Sequence, residues 1–206
     1  MPKPPTRALA GPRAPRGTPA ATRTRLVAAA AAVFNRCGYH GNDSNRIARA
    51  AGYAPGTFYK HFPDKRAILL AAYAEWVSAE WAAVETQVRA GGTPAAVAAR
   101  IVGLVLASHR RWRGLRSSVL GLVASDPQVH RFYRRQRRRQ LHLLREMRSP
   151  ARGSARSVAA DAVLLFTLER TCDAIANGEL RDLNVGAAPT VRILRDLIRH
   201  TLAPTN

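Results

Sequence analysis

Residues 44–65, SNRIARAAGYAPGTFYKHFPDK, concentrate the side chains best suited to act on a partner. Gly56, Thr57, Tyr59, Lys60 and His61 are small, hydrogen-bonding or basic, and they fall together on one side of a short helix expected from Ala54 to Phe62. Phe58 and Phe62, spaced i and i+4, share the opposite side, where they would lock the helix to its domain. Such a set offers donors to phosphates and base edges at a helix N-terminus, the end that enters a DNA major groove. Catalysis finds no comparable support: the sequence has no Gly-rich phosphate loop, no G-x-S-x-G elbow and no H-E-x-x-H, and its six histidines do not cluster. No catalytic residue, metal ligand or cofactor is expected.

The elements that must position this set are legible around it. Ser44 is expected to cap a first helix whose apolar residues Ile47, Ala48 and Ala51 make one narrow face. Gly52 ends it, because glycine accepts a left-handed backbone without steric cost. Pro55 suits the first turn of the next helix, where a missing N–H costs nothing, and Pro63 stops it. Upstream, Leu26, Val27, Ala30, Val33 and Phe34 mark one face of a helix over 22–36, closed by Gly38. These are the parts of a helix-turn-helix with a supporting helix behind it.

A helix ending at Phe34 and Gly38-Tyr39, then IARAAG, GTFYKHF and a trailing Asp64-Lys65, resembles the TetR family of bacterial transcriptional regulators over about residues 22–70. The resemblance implies an all-α homodimer with an N-terminal three-helix helix-turn-helix DNA-binding domain and a C-terminal helical ligand-binding and dimerisation domain. It also implies a palindromic operator in double-stranded DNA that a small-molecule effector releases. By motif position, Thr57, Tyr59, His61 and Lys65 would contact DNA, the last three chiefly at phosphates. The surface expected to face DNA comprises Ser44, Pro55, Gly56, Thr57, Tyr59, Lys60, His61 and Lys65. Ser44 stands where the family more often has threonine.

Composition points to a polyanionic partner. The chain of 206 residues carries 33 Lys and Arg against 13 Asp and Glu, a net charge of +20. Neutralising phosphates with such an excess releases counterions and gives salt-dependent affinity, although arginine and alanine enrichment is also what a GC-rich genome produces. A charge-driven structural DNA-binding protein is therefore the alternative to a regulator, and sequence specificity separates the two. Residues 1–21 hold six prolines and four basic residues with no acid, and read as a disordered basic arm, either a minor-groove contact or a solvated tail. Cys37 and Cys172 read as reduced packing residues. No continuous apolar run of about 18 residues is evident, so a cytoplasmic protein without a membrane span is expected.

Beyond the motif the chain reads as helices throughout, with a DNA-binding domain over 22–66 and a ligand-binding and dimerisation domain over 67–206. Asp64 should cap a long helix to about Arg89, the mechanical link between the two. Gly91-Gly92, Thr93 and Pro94 should separate it from a helix to about Arg111. Further helices are expected over 113–124, 127–148, 155–177 and 190–202. In the second of these, Arg131, Arg134, Arg135, Arg138 and Arg145 lie opposite an inner face containing Val129, Tyr133 and Gln140. Val158, Ala162, Leu165, Phe166 and Glu169, with Ile193, Leu194, Leu197 and Ile198, form two faces that are either a subunit interface or ordinary core. For an effector pocket the candidates are Trp76, Trp81, His109, Trp112, Phe166, Arg170 and Asp173, polar or aromatic groups in apolar helices. Arg170 and Asp173, at i and i+3, would form an ion pair.

Overall fold

The computed structural model describes residues 17–147 and 157–202. Within them the chain is helical, without a strand: α1 (Pro19–Cys37), α2 (Ser44–Ala50), α3 (Pro55–Tyr59), α4 (Lys65–Arg89), α5 (Pro94–Arg111), α6 (Arg113–Val123), α7 (Pro127–Glu146), α8 (Val158–Asn177), α9 (Glu179–Asp182) and α10 (Ala187–Leu202).

Start signals explain where these helices begin. Thr18, Asp64, Thr93, Asp126 and Ser157 each place a side-chain oxygen on a first-turn N–H, and Pro19, Pro94 and Pro127 occupy the turn that needs no donor. The expected arm over 1–21 is corrected at its end: α1 begins at Pro19 because Thr18 caps it, while residues 1–16 lie outside the described residues. The cap of α2 is Asp43, not Ser44. Its carboxylate accepts the Arg46 N–H at 2.6 Å, and Ser44 is the first helical residue and buried. The helix expected to reach Phe62 ends at Tyr59, although the His61 and Phe62 N–H groups both bond the Phe58 carbonyl, at 2.9 and 3.0 Å, so the last turn tightens rather than stops. The expected ends at 148 and 155 lie outside the described residues. The last helix starts at Ala187, three residues early, and α9 has no counterpart in the sequence reading.

Two cores hold the helices together. The first runs from Leu26, Phe34, Ile47, Phe58 and Ile68 in the N-terminal helices to Leu115, Val119, Val129 and Leu165 in α6, α7 and α8. It therefore crosses the boundary expected at residue 66, so the N-terminal helices share apolar packing with the body. The second gathers Val84, Val97, Val102, Val105, Leu194 and Ile198 from α4, α5 and α10. One helix among the described residues, α4, contains an 18-residue window of mean hydropathy 1.2, long and apolar enough to cross a membrane by length and composition. Its alanines raise the mean without a continuous apolar run, and half of that window is buried inside the protein.

Candidate nucleic-acid interface and its link to the helical body

The α2–α3 turn is set by backbone chemistry. Gly52 takes φ +81°, the Tyr53 N–H reaches back to the Ala48 carbonyl at 2.9 Å, and the Gly52 N–H bonds Arg49 at 3.0 Å. These paired bonds satisfy the last carbonyls of α2 and aim α3 across it. Phe58 is fully buried and Phe62 nearly so, with their ring centroids 5.9 Å apart. That anchor turns the rest of α3 and the turn after it outward: Pro55, Gly56 and Lys60 are exposed, Tyr59 is 59% exposed, and Thr57 and His61 are half-buried. A β-carbon on Gly56 would meet nothing within 4 Å, which makes the start of α3 an open surface. Arg46 and Arg49 are exposed on α2, the Arg46 guanidinium donating to the Gly41 carbonyl at 3.3 Å.

Lys65 does something else. Its ammonium donates to the Tyr39 carbonyl at 3.1 Å and the Asn42 carbonyl at 2.9 Å, and lies 4.1 Å from the centre of the Tyr39 ring. It ties the α1–α2 turn to the start of α4, which leaves at most one of its three donors for a phosphate. Ser44 is likewise turned into the domain.

The body holds a buried polar cluster that sequence reading only partly named. Arg116 on α6 donates through Nε to Asp173 at 2.6 Å and through Nη2 to Glu169 at 3.0 Å, both on α8. Arg137 on α7 pairs with the same Glu169 at 2.5 Å, donates to Gln140 at 2.9 Å and also bonds the Tyr133 hydroxyl. His109 Nδ1 lies 2.9 Å from Asp173, and its Nε2 faces Glu80 at 3.8 Å. Burial pushes the Glu169 and Asp173 carboxyls up, but the guanidiniums, with His109 bonded to Asp173, overcome that and hold both below the usual carboxylate range. Glu80 has no guanidinium within bonding reach among the described residues, and burial raises it. Burial also pushes the Cys172 thiol up to about 12, leaving it an inert packing residue.

Of the effector candidates, Trp76, His109 and Asp173 meet at this cluster, with the Trp76 indole N–H donating to Ser108 at 2.8 Å. Trp112 packs at the α5–α6 junction, Phe166 is 51% exposed, and Arg170 is exposed. The expected Arg170–Asp173 pair does not form: Arg170 pairs with Glu179 at 2.5 Å, and Asp173 turns inward to Arg116. Arg116, Arg137 and Glu80 were missed. Arg137 carried a signal, since it falls at i+4 from Tyr133 and three before Gln140 on the inner face of α7.

Like α4, the α6 helix touches both regions. The Asn35 side-chain oxygen at the end of α1 accepts the Gly114 and Leu115 N–H groups of α6 at 2.9 and 3.2 Å, and Arg116 follows directly in the cluster. A second tie joins Arg66, in the first turn of α4, to Asp126, the cap of α7, at 3.0 Å. No group of three or more His, Cys, Asp or Glu side chains that could hold a metal occurs among the described residues.

An outward-facing second helix anchored by aromatic residues, set on a helical body, defines a helix-turn-helix protein. Residues 26–72 match the sequence model for bacterial regulatory proteins of the tetR family. Over these residues the chain is similar to the TetR family. It is 38% identical over 50 residues to the HTH-type transcriptional regulator UidR of Escherichia coli K12, a match covering 24% of this chain and 26% of that protein. The match thus spans about a quarter of the length of the curated relatives. Beyond it the likeness is one of fold. The fatty acid degradation regulator FadR from Bacillus halodurans superposes with a TM-score of 0.69 at 19% identity, covering 93% of this chain and 100% of that one. FadR from Bacillus subtilis in complex with stearoyl-CoA gives 0.67 at 18%, covering 87% and 99%.

Proposed function

We propose that this protein is a ligand-responsive transcriptional regulator that binds a palindromic operator as a homodimer and releases it when a small molecule occupies the helical body. One observation carries the reading: Phe58 of α3 and Phe62 just beyond its end are buried, and the other face of α3, with Tyr59 59% exposed, is left open. Gly56 lets the backbone approach the groove, Thr57 reaches toward base edges, and Tyr59, Lys60 and His61 bond phosphates. Lys65 serves mainly by fixing the α1–α2 turn, and Ser44 by packing.

The two-fold operator follows from the far end of the molecule. Val163 and Phe166 on α8 and Ile193 and Leu197 on α10 remain exposed, whereas Leu165, Leu194 and Ile198 are spent on the protomer's own core. A second copy covering this apolar face would set two reading heads about one DNA turn, roughly 34 Å, apart. An effector acts by favouring a conformation whose heads are mis-spaced, and affinity falls by its differential binding to the two states. α4 and α6, both packed on α1, are the elements through which a change in the body reaches it. The protein acts in the cytoplasm, where its DNA is.

Selection of duplexes from a random pool at about physiological salt, where charge-driven binding is weakened, tests this reading. The expected result is enrichment of one inverted repeat. Recovery of an unenriched pool would show a charge-driven DNA-binding protein instead.

A further inference from the structure

A cleft of about 500 Å³ opens between α4 and α7, outside the set of effector candidates drawn from sequence apart from Trp81. The helices run parallel there, since Arg66 and Asp126 join their N-terminal ends. The lining spans Val77 to Arg89 on α4, about 18 Å at the helical rise. Its composition changes along that length. Ser78, Gln136, Arg139 and Gln140 line one end, and Val88, Leu143 and Met147 the other, with Trp81 between them. At the apolar end Glu85 pairs with Arg89 at 2.5 Å, and the Glu146 carboxylate lies 3.1 Å from the His142 Nε2. At the polar end Arg139 makes no ion pair among the described residues.

We propose that this cleft binds an elongated amphipathic carboxylate, its apolar body against Trp81, Leu143 and Met147 and its carboxylate at Arg139. The unmatched cation selects an anionic end over a neutral or cationic one, and the apolar floor rewards length. Gln140 makes such a ligand consequential. It is the buried side chain that both lines the cleft and donates to Glu169, at 3.2 Å, in the ion cluster that holds α6. The inference rests on the regulator reading for its purpose, but not for its binding test.

The test uses the full-length protein and straight-chain carboxylates of increasing length, with the corresponding alcohols and alkylamines as neutral and cationic controls, followed by calorimetry and tryptophan fluorescence. Affinity should rise about three- to fourfold per methylene until the cleft is filled. Carboxylates should bind about two- to fivefold more tightly than alcohols, the range of an exposed ion pair, and Arg139→Gln should erase that preference while keeping the length dependence. Because Arg139 is exposed and unpaired, this variant keeps its fold. Absence of saturable binding at every length, equal binding of alkylamines, or a preference that survives Arg139→Gln would overturn the proposal. Each of these outcomes is independent of DNA, so failure of operator selection would refute the regulator reading without touching the site.

Discussion

Asn35 at the end of α1 and Gly114 at the start of α6 join the N-terminal helices to the body through a hydrogen bond of 2.9 Å. The Asn35 amide accepts the Gly114 N–H at 2.9 Å and donates to the Arg111 carbonyl at 2.8 Å, bridging the α5–α6 junction. The backbones approach so closely that a β-carbon on Gly114 would lie 1.9 Å from the Asn35 carbonyl oxygen. Only glycine fits there without displacing α1 from α6.

Gly114→Ala should therefore destabilise the protein by about 3 kcal/mol, at the upper end for overpacking, because the obstacle is backbone rather than a movable side chain. Asn35→Ala, which leaves two N–H groups without their acceptor in a half-buried site, should cost about 1–2 kcal/mol. Chemical denaturation of both variants checks this. An unchanged midpoint for Gly114→Ala would mean that α1 and α6 do not pack as described.

The buried cluster predicts a large and pH-dependent effect. Glu169→Gln removes one carboxylate from between Arg116 and Arg137 and should destabilise by about 3–5 kcal/mol. In the wild type, Glu169 and Asp173 ionise below their ordinary range, so the stability they supply is present above the unfolded carboxylate range and disappears as pH falls through their folded values. Glu80, raised by burial, acts with the opposite sign: its contribution is complete below the unfolded value and is lost as pH rises through the folded one. Thermal melts across pH 3–8 should show the acid-side loss in the wild type and a flattened profile in Glu169→Gln.

The distinction between Tyr59 and Lys65 gives a third prediction. Tyr59→Phe should weaken binding to every duplex similarly, because a phosphate contact positions without specifying. It should leave the melting temperature unchanged, since the hydroxyl is on an exposed side chain. Lys65→Ala should instead lower the melting temperature first, having removed the bonds to the Tyr39 and Asn42 carbonyls. Paired melting and anisotropy measurements separate the two, and a Tyr59→Phe variant with wild-type affinity for all duplexes would remove Tyr59 from the interface.

The reading pair and most helix starts were legible because their causes are local: Gly52 at positive φ, and Asp64, Thr93-Pro94 and Asp126-Pro127 as caps and first turns. Thr18-Pro19 carried the same signal but was hidden in a proline-rich stretch. At α2, Asp43 and Ser44 are adjacent competent caps, and composition does not choose between them. The cluster was not legible because its partners lie far apart in the chain, Arg116 being 57 residues from Asp173 and 53 from Glu169. Helical spacing suggested a local Arg170–Asp173 pair, which loses to a buried partner that tertiary packing supplies.

The exposed apolar face of α8 and α10 should be the subunit interface. Ile193→Glu, at a position 67% exposed in the protomer, should leave its folding within about 0.5 kcal/mol and convert the dimer to monomer. Sedimentation equilibrium reads this directly, and a variant that stays dimeric places the interface elsewhere.

The central claim is sequence-specific recognition through α3, and the most direct measurement is the affinity ratio between the duplex enriched by selection and a shuffled duplex of the same composition, at about physiological salt. A ratio of about 10³ or more, falling toward one when Thr57 is replaced by Ala, is the predicted result. Equal affinity for the two duplexes would contradict it, and the chain's +20 charge would then be its whole means of holding DNA.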